Sequence, residues 1–142
     1  MKYTSFVSLV KGLLIGDNAF PNDINIQVSL LGYAYDKVAN EADALRLFKV
    51  DAKGDILRCG PGDIYVRKPN LPEITNNTID VNYEIDIDDD LCYPLARYFA
   101  SFVTKEKMLY HEQEAEKLIR VYNSKVESHI NKLKQGKSYA NR

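Results

Sequence analysis

The chain of 142 residues has no tryptophan, two cysteines, two histidines and a formal net charge of −1. Each scarcity removes a class of function. Cys59 and Cys92 fit neither a zinc-ligand spacing nor the disulfide framework of a small secreted domain. Cys92 falls in an apolar helical pattern and reads as a small core residue. His111 and His129 stand far apart, with no cysteine or second histidine at ligand spacing. The near-zero charge gives no global attraction to nucleic acid or membrane. Apolar runs are short, and none approaches the length of a membrane span. At the N-terminus a single basic residue, Lys2, precedes an apolar run broken by Ser8 and Lys11. No small-residue cleavage site follows, so the segment makes a poor signal peptide and a reducing cytoplasm is the expected place of synthesis.

Chemical motifs are scarce as well. The chain has no nucleophile elbow, no HExxH and no serine–histidine–aspartate order that a motif would support. Cys59-Gly60-Pro61-Gly62-Asp63 has glycines but not the Lys-Ser/Thr end of a phosphate loop, and reads as a turn. Asp86, Asp88 and Asp90 match the first three ligand positions of a calcium loop. The match then fails, because Leu91 stands where glycine is needed and Arg97 where the bidentate glutamate belongs. No catalytic, cofactor-binding or metal residue is expected, and the chain is read as a non-enzyme.

What is present is a hydrophobic fraction of 45% with 27% charged residues, enough for one globular domain with its own core. Phe6, Leu9, Val10, Leu13 and Leu14 fall at spacings of three and four and predict a helix over 3–15, stopped at Gly16. Asn22 or Asp23 caps a second helix with Ile24, Val28, Leu31, Tyr35 and Val38 on one face. Gly32 within it implies close approach of another helix or a tolerated defect. From residue 44 the period shortens. LRLFKVD and DILRC alternate around Ala52-Lys53-Gly54 as a hairpin, and IYVRK forms a third strand. Residues 69–77 read as extended or loop, and 78–88 alternate as a strand or extended arm with one buried face.

Asp88, Asp89 and Asp90 are predicted to cap a third helix, where carboxylates meet free amides and the positive end of the dipole. Its stripe is Leu91, Leu95, Tyr98, Phe99, Phe102 and Val103. After a break at 105–107, Met108, Ala115, Leu118, Ile119, Tyr122, Val126, Ile130 and Leu133 continue a helical stripe, stopped at Gly136. The expected fold is mainly α: a bundle of about four helices with a small β-hairpin insertion. The expected segments are N-terminal helices over 1–43, an insertion and arm over 44–87, C-terminal helices over 88–135 and a flexible tail over 136–142.

Charge is uneven along the chain. Residues 73–90 carry seven acidic side chains and no lysine or arginine, whereas 104–142 carry nine lysines and arginines against five glutamates. The runs are either solvated surface or an acidic face of one subunit meeting the basic end of another. Ten tyrosines admit a similar pair of readings, interface or half-buried surface.

This order of elements resembles the head-to-tail adaptor (connector) proteins of tailed bacteriophages. The matching pieces are Asp23-Ile24 through Val38, the step Ile85-Asp86-Ile87-Asp88 to Leu91, Ala96 to Phe99, and Tyr122-Asn123. They span most of the chain except 44–78. The resemblance implies a structural virion protein of the neck, made in the host cytoplasm. Its copies, twelve in the family, form a ring between the portal protein and a tail or nozzle protein. Genomic DNA passes through such a ring without sequence-specific contact, and a strongly basic wall would hold its phosphates. Lys132, Lys134, Lys137, Tyr139 and Arg142 are then the candidate portal or subunit contacts. The competing expectation is a small cytoplasmic helical binding or regulatory protein.

Overall fold

The computed structural model describes the backbone of residues 1–42, 56–60 and 64–140, and side chains within 1–42 and 68–128. Four α-helices carry the described core: α1 (Tyr3–Leu13), α2 (Ile24–Glu41), α3 (Cys92–Val103) and α4 (Met108–Ala140). The mainly α bundle with a small β insertion is therefore the observed fold. Two antiparallel hairpins lie between α2 and α3: β1 (Ile56–Gly60) with β2 (Ile64–Arg67), and β3 (Ile74–Thr75) with β4 (Thr78–Ile79). The predicted strand over 45–51, the loop Ala52-Lys53-Gly54 and the turn residues Pro61-Gly62-Asp63 lie outside the described residues.

The helices form where apolar spacing and caps coincide. Asp23 caps α2, its carboxylate accepting the Asn25 N–H at 2.8 Å and the Ile26 N–H at 3.4 Å. Gly16 turns the chain out of α1 with φ +78°, a conformation open to glycine without a Cβ penalty. The α3 helix sits at the centre and packs against α1, α2 and α4. It buries Leu95, Ala96, Tyr98, Phe99 and Ala100. Phe99 meets Phe6 edge-on at 5.7 Å and stacks on Phe20 at 5.5 Å. Pro94 lies in the first turn of α3, where the missing N–H has no helical acceptor to lose.

The extended arm pins the N-terminus to this core. Ile85 N–H donates to the Met1 carbonyl at 2.8 Å, and Lys2 pairs with Glu84 in an antiparallel bridge. Ile85 and Ile87 are buried as their alternation requires, whereas Val81 points to solvent. A chain of hydrogen bonds ties the arm to α2. Tyr35 Oη contacts Tyr83 Oη at 2.6 Å and accepts the Asp86 N–H at 2.9 Å. Tyr83 Oη donates to the Asn70 carbonyl at 2.6 Å.

Several expectations need correction. Residues 69–79 hold a second hairpin rather than a plain loop. Asn76 and Asn77 take φ of 52° and 57°, the paired positive values of a type I′ turn. The aspartates at 88–90 do not cap α3 through their side chains. A 3-10 turn (Asp89–Leu91) precedes the helix, Leu91 takes the cap position, and the Asp88 carboxylate is engaged elsewhere. The last helix does not stop at Gly136. It runs to Ala140, because one glycine costs only about 1 kcal/mol amid good helix formers. Gly32 faces Leu71 of the loop, not another helix; a Cβ there would meet Leu71 Cδ1 at 3.5 Å. Leu118, expected in the core, is 39% exposed on the outer side of α4.

Candidate functional site

Two features stand out once the bundle is assembled, a set of exposed apolar side chains and a polar cleft. The exposed side chains belong to helices that bury their other side. Ile26 and Tyr33 are exposed on α2, Tyr93 on α3, and Leu109, Tyr110 and Val121 on α4. The tyrosines thus divide. Tyr33, Tyr93 and Tyr110 face outward, while Tyr35, Tyr98 and Tyr122 are buried with their hydroxyls bonded. Tyr110 also lies 5.4 Å beneath the Arg97 guanidinium, a cation–π contact that fixes its ring.

The buried tyrosines join the helices through carboxylates. Tyr98 donates to Glu41 at the end of α2, and the Glu41 carbonyl accepts Asn123 Nδ2 of α4 at 3.0 Å. Tyr122 donates to Asp88. Burial first, and then these carboxylate partners, push both phenols well above their ordinary range. Asp86 Oδ2 accepts the Asn70 N–H at 2.7 Å. Two of the three aspartates that resembled calcium ligands, Asp86 and Asp88, are therefore bonded to their own chain. Among the described residues no group of three His, Cys, Asp or Glu side chains could hold a metal ion. Cys92 is buried with a free thiol, and burial raises its pKa to about 11.

The cleft, about 260 Å3, lies between the end of α1 and the α3–α4 connection. Asp17 sits on its wall. The Asp17 Oδ2 accepts Thr104 Oγ1 at 3.0 Å and the Lys105 N–H at 2.9 Å. The Lys105 N–H bond above all holds the Asp17 carboxyl below the usual range. His111 closes the cleft from α4, 1% exposed, with Arg97 Nη1 at 3.1 Å from its Nδ1. Burial, then Arg97 and Lys107, lower its pKa. The sequence singled out His111 only to set it aside as a metal ligand, and Asp17 lies just past the Gly16 stop, outside every motif. Asp17 and Lys105 lie 88 positions apart, so no local pattern joins them.

Of the candidate contact residues, Lys132, Lys134, Lys137 and Tyr139 lie on the last turns of α4, and Arg142 lies outside the described residues. The positions of the first four put them on a helix and not in a loose tail. Among the described residues no helix is long and apolar enough to cross a membrane. Comparison with protein-family models, curated proteins and solved structures finds no match.

Proposed function

We propose that this chain is a structural subunit that self-associates into a ring, the head-to-tail adaptor of a tailed bacteriophage, and performs no catalysis. The carrying observation is the set of large apolar side chains exposed on α2, α3 and α4. Exposed apolar area of this kind marks protein contacts when it is contiguous, and tyrosine is the residue type interfaces favour. The 33 residues of α4 give it a length of about 50 Å, against about 18 Å for the 12 residues of α3. A helix that outreaches its core partner supplies a surface for a second molecule. The basic end of α4 then meets the portal through Lys132, Lys134, Lys137, Tyr139 and Arg142. The order of motifs around Asp23-Ile24, Ile85-Asp86-Ile87-Asp88 and Tyr122-Asn123 supports the same assignment.

Mixing the purified chain with portal rings and imaging the product by electron microscopy tests this reading. A ring of density added to one face of the portal is expected, together with the chain's presence in the neck of purified virions. A fixed small oligomer indifferent to portals and missing from virions would replace the adaptor with a small helical binding protein.

A further inference from the structure

Two residues that line the cleft between α1 and the α3–α4 connection, Asp17 and His111, each carry a buried polar atom with no hydrogen-bond partner among the described residues, Asp17 Oδ1 and His111 Nε2. Unmade hydrogen bonds of buried groups are costly, and such pairs mark a place for a ligand. Their donor sense follows from Arg97. A guanidinium only donates, so the His111 Nδ1 beside Arg97 Nη1 is assigned as the acceptor. The neutral imidazole, favoured by burial and by Arg97, then carries its proton on Nε2. His111 is left with an N–H that has no acceptor among the described residues. Asp17 offers the opposite: with Oδ2 engaged by Thr104 and Lys105, its Oδ1 can only accept.

We propose that this cleft binds a neutral primary carboxamide, whose carbonyl oxygen accepts from His111 Nε2 and whose N–H donates to Asp17 Oδ1. Charge selects the class. Asp17 and Glu106 line the cleft together with Lys105 and Lys107. A carboxylate would gain the lysines and face two like charges, and an ammonium would meet the reverse. A neutral group with donor and acceptor on adjacent atoms avoids both penalties. The volume of about 260 Å3 exceeds the roughly 30 Å3 of one water, leaving room for a short side chain or a small molecule. The carboxamide comes either from a free molecule or from an asparagine or glutamine of a second copy. The assignment stands on the cleft alone and not on the adaptor reading.

The test follows the imidazole nitrogens of His111 and the Lys105 amide by NMR in the full chain, with a His129→Gln variant separating the two histidines. Propionamide is the probe; propionate and n-propanol are its comparators. A saturable shift of both groups with propionamide alone is expected, with the proton on Nε2. In Asp17→Asn the side-chain carbonyl still accepts from Lys105, while the cleft-facing atom becomes a donor. Binding of propionamide should weaken by about tenfold or more while the unliganded fold is retained. If the same signals also shift with protein concentration, and propionamide competes that shift away, the carboxamide belongs to a second copy; a shift with propionamide only assigns it to a free molecule. Absence of any saturable propionamide shift, equal shifts with either comparator, unchanged affinity in Asp17→Asn, or a proton on Nδ1 would each overturn the proposal.

Discussion

Asp88 and Asp89 are neighbours of the same chemical type in very different settings. The Asp88 carboxylate accepts the hydroxyl of Tyr122, a buried residue, whereas the Asp89 side chain is 92% exposed. Asp88→Ala leaves a buried hydroxyl without that acceptor and should cost about 1–3 kcal/mol, while Asp89→Ala should stay within about 0.5 kcal/mol. Urea denaturation of the two variants checks this, and equal losses would return both residues to a shared capping role. His111 carries a prediction in pH. Its ordinary pKa is 6.5 and the fold lowers it, by burial first and then by Arg97 and Lys107. As pH falls the unfolded chain therefore takes up the proton before the folded one does. The stability from neutral His111 is full above about pH 6.5 and is lost as pH drops through the folded value. Asp17, also lowered, adds a loss of the same sign at more acidic pH. The denaturation midpoint should fall between about pH 7 and about pH 5.5, and His111→Gln should flatten that slope. A slope retained in the variant would assign the effect to another group.

At the scale of elements, α3 is the helix most sensitive to truncation. Phe99 is fully buried between Phe6 and Phe20, so Phe99→Ala should cost about 3–5 kcal/mol by calorimetry. Leu118→Ala, on the outer side of α4, should cost far less. The four helices were legible because apolar spacing, the Asp23 cap and the Gly16 stop are local signals that agree. Phe20 was not, since it sits in the loop after Gly16 and belongs to no helical stripe. The hairpin at Asn76-Asn77 escaped for a different reason. Its strands have two residues each, too short to show alternation, and only the asparagine pair betrayed the turn. Gly136 misled in the opposite direction, because a glycine reads as a stop only where something else ends the helix. The cleft was illegible altogether: Asp17, Arg97, Lys105 and His111 meet through tertiary packing, and no local pattern joins them.

For the whole molecule, the decisive region is the far end of α4. The described core closes around Ala115, Ile119 and Tyr122, with Val126 partly buried against it. Residues 135–142 follow, and their backbone continues α4 as far as Ala140. Removing them shortens a helix instead of trimming a loose tail. The bundle should keep a melting temperature close to wild type, because the side chains buried among the described residues all remain. In the proposed ring the same deletion takes away Lys137, Tyr139 and Arg142, and with them part of the charge that would pair with an acidic groove on the portal. Assembly onto portal rings should weaken, and the deficit against the full chain should shrink as salt is raised, since the rim charges that the full chain keeps are screened over about 8–10 Å at ordinary ionic strength. Sedimentation of portal mixtures at two salt concentrations reads both effects. Wild-type assembly by the truncated chain would move the contact inward, to the exposed Leu109, Tyr110 and Val121 face of α4, where Val121→Glu should then abolish it.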